Sequence, residues 1–133
     1  MAKKILIVDD EPNLVKLLES RLKVNGYDVI SAFDGQQGLD KVRQDKPDLV
    51  ILDLMLPQLH GYEVCRQLRT DAVHKNIPIV MLTASGKATD IQEGLEQGAN
   101  AYIAKPFKPE ALLGIIQALL WESESEKWSK IQD

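Results

Sequence analysis

The chain has 133 residues, enough for one domain with a continuous core and too few for two full-sized modules. Its 44% hydrophobic and 27% charged residues match a soluble globular protein and exclude disordered, collagen-like and coiled-coil classes. The net charge of −4 argues against direct nucleic-acid binding, which draws mainly on phosphate neutralisation, and the apolar runs are too short to span a bilayer. Lys3-Lys4 is followed by a short apolar run and then acids, not by a signal-peptide core, so a cytoplasmic protein without membrane contact is expected. The single cysteine, Cys65, has no disulfide, zinc or redox partner and reads as a small half-buried helix residue.

The first strand is expected at residues 5–8 (ILIV), apolar without alternation, as in a parallel strand covered on both faces. A helix over residues 12–25 follows, with Pro12 in its first turn, a stripe of Leu14, Leu17, Leu18 and Leu22, and Gly26 as its stop. Residues 27–32 form a more polar strand suited to a sheet edge, and Asp34 caps a helix over about 35–44. Residues 49–52 (LVIL) are the third strand, and Gly61 precedes a helix carrying Tyr62, Val64, Cys65 and Leu68. The fourth strand, residues 79–82 (IVML), leads to a fourth helix over about 87–97, weak in propensity because of Gly94 and weakly buried through Ile91 and Leu95. The fifth strand is 101–104, and the fifth helix runs from near Pro109 at least to Trp121. His60 and His74 fall in loop-like stretches without metal-ligand spacing and are expected to be solvated. Such βα alternation predicts one doubly wound five-stranded parallel sheet flanked by five helices, an α/β fold.

The candidate chemistry lies where strands end. Asp9 and Asp10 directly follow the first strand and Asp53 the third; Thr83 ends the fourth and Lys105, before Pro106, the fifth. In an open parallel sheet of order 2-1-3-4-5 the functional crevice lies beyond the carboxyl ends of the first and third strands, which brings the three acids together. Clustered carboxylates repel one another unless a cation compensates, and an all-oxygen set without His or Cys suits Mg²⁺. A hydroxyl and an ammonium can each contact a phosphoryl oxygen, which makes Asp53 the candidate nucleophile, with Thr83 and Lys105 as its catalytic partners. Taken singly, such acids are turn formers or caps, a threonine is strand filler and a lysine is a surface charge; their coincidence at four strand ends is what points to a site.

The segments ILIVDDEP at 5–12, LVILDLMLPQLHGYE at 49–63, IVMLTAS at 79–85 and GANAYIAKPF at 98–107 resemble the receiver domains of bacterial response regulators, in CheY-like order, across about residues 3–121. That resemblance implies a flavodoxin-like fold and a switch module phosphorylated on Asp53. It assigns Mg²⁺ contacts to Asp10 and Asp53, a water-mediated contact to Asp9 and a backbone carbonyl ligand to Met55. It implies that Lys105 pairs with the phosphoryl group beside a cis peptide before Pro106, that Ala84 leaves room above the site, and that Thr83 and Tyr102 form the switch pair. The implied donor is a sensor histidine kinase or a histidine phosphotransfer protein. The implied output surface is the fourth helix, fifth strand and fifth helix. The module is expected to catalyse only its own phosphotransfer and slow autodephosphorylation and not to be an enzyme beyond that.

Two departures from the family stand out. Members that drive winged-helix transcription factors carry two acids before the aromatic of the fifth strand and basic residues along the last helix, where this chain has Asn100-Ala101 and Gly114-Ile115-Ile116-Gln117. The charged intersubunit contacts of those members are therefore not expected. The broad apolar stripe of the fifth helix (Leu112, Leu113, Ile115, Ile116, Leu119, Leu120, Trp121) suggests docking of a downstream protein or a second copy. Residues 1–121 are read as the receiver domain and 122–133 as a C-terminal helical extension or flexible tail; with no effector in the sequence, a stand-alone regulator is expected. Among rivals, an aspartyl-phosphate hydrolase needs an acid where Met55 stands. A flavin carrier needs a phosphate-cradling first loop in place of Asp9-Asp10-Glu11. A phosphorylation-independent binding module leaves the site residues without a purpose.

Overall fold

The structure, a computed structural model, describes residues 2–84, 92–93 and 95–132, with side chains described as far as residue 124. Strands β1 (Lys4–Val8), β2 (Asp28–Ala32), β3 (Leu49–Asp53), β4 (Ile79–Thr83) and β5 (Ala101–Ala104) form one sheet of order β2-β1-β3-β4-β5. All four pairings are parallel. The apolar runs expected to be covered on both faces, β1, β3 and β4, are the three inner strands, and the more polar β2 is an edge.

Four helices are described: α1 (Pro12–Val24), α2 (Gly35–Asp45), α3 (Gly61–Thr70) and α4 (Pro109–Gln132). Helix α1 stops at Asn25, whose amide donates back to the Leu22 carbonyl, and the amide of Gly26, at φ +90, donates to the Lys23 carbonyl, a conformation that costs glycine little. The Asp34 carboxylate caps α2 by accepting from the Gln37 amide at 2.8 Å. The expected fourth helix, about 87–97, lies largely outside the described residues; Gln92, Glu93, Leu95 and Glu96 within it are helical.

Strand alternation divides the core in two. Leu6, Val8, Val50, Leu52 and Met81 pack with Leu39 and Val42 of α2 and Val64, Cys65 and Leu68 of α3. Ile5, Ile7, Ile51, Val80 and Leu82 pack on the other face with Val15, Leu18 and Leu22 of α1 and Leu112, Ile116 and Leu120 of α4. Cys65 is fully buried, not half-buried as expected, because α3 turns it onto the sheet; burial pushes its thiol pKa up.

The broad stripe of α4 is mostly consumed inside the fold. Leu113, Ile115 and Leu119 are half-buried against the same core, and among the residues of this helix whose side chains are described only Trp121, 71% exposed, remains as a large outward apolar group. Beyond Trp121 the helix continues unbroken to Gln132, and Glu124 pairs with Lys3 at 2.7 Å. Of the two histidines expected to be solvated, His60 is exposed and His74 is not. His60 caps α3 through Nδ1, which accepts from the Tyr62 amide at 3.2 Å. The His74 side chain is only 10% exposed, its Nδ1 lying 3.4 Å from the Asp71 carboxylate, because the α3–β4 loop folds it inward.

Candidate functional site

The parallel register places the site residues level with one another. Val8 pairs with Leu52, so the next residues, Asp9 and Asp53, emerge side by side at the same sheet edge. Asp53 pairs with Leu82 and Thr83 with Ala104, so the hydroxyl and then Lys105 follow at neighbouring strand ends. Among the described residues, the buried polar or charged groups are Asp9, Thr83 and Asp53, at 0%, 2% and 5% exposure. These three lie together at one sheet edge, which gathers their desolvation cost at one place.

Backbone donors hold the acids. Asp9 Oδ1 accepts the Glu11 amide at 2.9 Å and Asp53 Oδ1 accepts the Met55 amide at 3.2 Å. The outer oxygens of both face one ammonium: Lys105 Nζ donates to Asp9 Oδ2 at 3.1 Å and to Asp53 Oδ2 at 3.4 Å, with a third contact to Glu11 Oε1 at 3.3 Å. Lys105 is delivered by the turn after β5, where its amide donates to the Thr83 carbonyl at 2.6 Å and the bond to Pro106 is cis. Gly61, which opens α3, lets that helix approach closely: a Cβ there would stand 2.6 Å from the Asp53 carbonyl oxygen and 2.8 Å from Leu54 Cα.

Burial, followed by the neighbouring Asp9 charge, pushes the Asp53 carboxyl pKa up, although Lys105 and the Met55 amide pull the other way. For Lys105, burial disfavours the ammonium, but Asp9, Asp53 and Glu11 together outweigh it and the pKa is raised. The pocket therefore holds more negative charge than its one lysine settles.

That surplus tests the site for a cation. Asp9, Asp10 and Asp53 each offer a carboxylate oxygen, and these oxygens lie within 4.8 Å of one another. An octahedral ion bound at about 2.0–2.1 Å keeps its ligand oxygens about 3–4 Å apart, so small rotations close this set, and exclusively oxygen donors suit a hard ion. The residues fit Mg²⁺.

Of the other expected residues, Ala84 is exposed and lines a cavity of about 450 Å³ beside Lys105, together with Glu11, Leu14 and Phe107. Met55 is 67% exposed just beyond Asp53. Tyr102 is half-buried on β5 opposite Met81 and lies on the same sheet face as Thr83, two residues along β4, against the core that α2 and α3 cover. Glu11 was missed as a site residue. Its signal was its position directly after Asp9-Asp10, but whether it reaches Lys105 is a matter of three-dimensional geometry.

A family model described as response regulator receiver domain matches residues 5–117. The chain is 49% identical over 124 residues to the alkaline phosphatase synthesis transcriptional regulatory protein PhoP of Bacillus subtilis, covering 93% of this chain and 51% of that protein. It is 47% identical over 126 residues to the DNA-binding response regulator MtrA of Mycolicibacterium smegmatis, covering 95% of this chain and 54% of that protein. It thus spans about half the length of these curated relatives. The chemotaxis response regulator CheY4 of Vibrio cholerae superposes with a TM-score of 0.85 at 34% identity, covering 90% of this chain and 99% of that one. Sheet order, the converging acids and these matches agree, and the chain belongs to the family of response regulator receiver domains.

Proposed function

We propose that this chain is a phosphorylation-dependent switch in which Asp53 accepts a phosphoryl group from the phosphohistidine of a sensor histidine kinase or a histidine phosphotransfer protein. An Asp53 carboxylate oxygen attacks phosphorus, the P–N bond of the donor breaks, and its electron pair stays on the imidazole nitrogen. The observation that carries this reading is Lys105 Nζ standing 3.1 Å from Asp9 and 3.4 Å from Asp53, poised to meet a phosphoryl oxygen on the latter. Asp9, Asp10, Asp53 and the Met55 carbonyl would hold Mg²⁺, which when bound neutralises carboxylate and phosphoryl charge. Thr83 and Tyr102 act as the switch pair, the hydroxyl turning to the phosphoryl group and the ring moving in behind it.

Shifting a resting population from 1:99 to 99:1 takes about 5.5 kcal/mol of differential stabilisation. The lysine pair and the hydroxyl bond of the phosphorylated form, made in a partly desolvated pocket, are of that order. The output surface is β5, α4 and the segment about 87–97, read by a protein partner or a second copy; the module itself contacts neither nucleic acid nor membrane. The curated relatives are about twice as long and are named for transcriptional regulation or DNA binding, which weighs against the expectation of a stand-alone regulator. The reading places the protein in the cytoplasm and assigns the switch to residues 1–121, with 122–133 as an extension. It also makes the domain a catalyst only of its own phosphorylation and slow dephosphorylation.

Incubation with a small acyl phosphate and Mg²⁺ should add one phosphoryl group by intact-protein mass, lost in Asp53→Asn and without Mg²⁺. Labelling that persists in Asp53→Asn, or rapid multiple turnover of the donor, overturns the reading.

A further inference from the structure

We propose that Glu11 is a positioning residue for Lys105: it clasps the ammonium in the resting state and must release it before the phosphoryl group can be held on Asp53. This rests on the reading of Asp53 as phosphoacceptor.

Glu11 occupies the N-cap position of α1, yet its side chain makes no capping hydrogen bond to the helix. Ser, Thr, Asp and Asn serve that position well and a longer acid does not, so helix capping does not account for Glu11. Its carboxylate reaches instead to Lys105 Nζ, 3.3 Å away across 94 residues of sequence. The ammonium has three N–H donors, and its three contacts, to Asp9, Glu11 and Asp53, use all of them. While Asp53 keeps its contact, a phosphoryl oxygen arriving there needs one of the other two to be given up.

The three are unequal. Asp9 is fully buried and held by the Glu11 amide, so leaving it would strand an unpaired buried charge. Asp53 is itself the reacting group. The Glu11 side chain is 62% exposed, and its carboxylate exchanges Lys105 for water at little cost. Glu11 is the contact that yields, and the strength of its hold enters the rate at which Asp53 is charged.

An exposed ion pair of this kind corresponds to about a two- to fivefold effect. At saturating Mg²⁺ and low salt, Glu11→Gln should raise the rate of Asp53 phosphorylation by a small acyl phosphate about two- to fivefold. The difference should shrink in 1 M salt, where exposed pairs are screened within about 3 Å. If Glu11 acts through the ammonium, the same change in a Lys105→Met background should leave the rate unaltered, a coupling that neither a general structural effect nor a through-space repulsion of the donor produces. A rate equal to wild type in Glu11→Gln, or an acceleration that survives in Lys105→Met, overturns the proposal while Asp53 labelling continues. Failure of wild type to label on Asp53 overturns the parent reading instead.

Discussion

Two glycine-to-alanine changes should shift stability in opposite directions, and the structure says by how much. At Gly61 a methyl group would be driven to 2.6 Å from the Asp53 carbonyl oxygen and 2.8 Å from Leu54 Cα. Both are backbone atoms of the β3 end, so relief requires α3 or the strand terminus to move, and overpacking of this kind costs about 1–3 kcal/mol. At Gly114, exposed in α4, nothing lies within 4 Å of the new methyl group. The helix there gains about 0.5–1 kcal/mol from alanine's higher propensity. For a domain of this size about 1 kcal/mol moves Tm by roughly 4 °C. Gly61→Ala should therefore lower Tm by about 4–12 °C, and Gly114→Ala should raise it by about 2–4 °C, in calorimetric scans of both variants. Because the clash at 61 falls on the strand end that presents Asp53, Gly61→Ala should also slow phosphorylation, which Gly114→Ala should leave alone. A Gly61→Ala protein within about 0.5 kcal/mol of wild type would refute the close approach on which the placement of Asp53 against α3 depends.

Without a divalent ion, the raised Asp53 pKa means that the folded state binds its proton more tightly than the unfolded chain. Stability should then fall as pH rises from the ordinary carboxylate value through the raised one, so Asp53→Asn should be more stable than wild type at pH 7 in chelator, the gap closing as pH drops below that window. A gap that widens on acidification would contradict the sign. Mg²⁺ at about 100 times its Kd should add about 2.7 kcal/mol to wild type, read as a concentration-dependent rise in Tm, and Asp10→Asn should need far more of the ion for the same rise. Arg69 donates to the carbonyls of Gly98, Lys75 and Ile77 and to Asn100 Oδ1, at 2.8, 3.1, 2.6 and 2.7 Å. Arg69→Met leaves these acceptors without the donor and should cost about 2–4 kcal/mol, with hydrogen exchange accelerating first around 97–100.

Much of this fold could be read along the chain because its inner strands are uninterrupted apolar runs, a pattern that only two-sided cover explains. The four strand-end positions of Asp9, Asp53, Thr83 and Lys105 were readable for the same reason: once the strands are placed, parallel pairing aligns whatever follows them. What escaped depends on reach across space. Arg69 looks like any charged residue near a helix end, and its four acceptors come from two loops that the sequence does not show to be adjacent. His60 is outside the usual capping set, so its bond to the Tyr62 amide carried no advance signal. Helix α4 read as partly outward-facing because a stripe can be counted from spacing, whereas the width of the groove it fills is set by α1 and the sheet.

The ammonium that completes the pocket lies 96 residues downstream of Asp9, 94 downstream of Glu11 and 52 downstream of Asp53. Lys105 is thus the last of the converging groups to leave the ribosome, and it arrives only with the edge strand that closes the sheet. A nascent or clipped chain ending short of that strand presents bare carboxylates that repel an incoming anion. On the proposed reading, competence to accept a phosphoryl group therefore coincides with completion of the sheet.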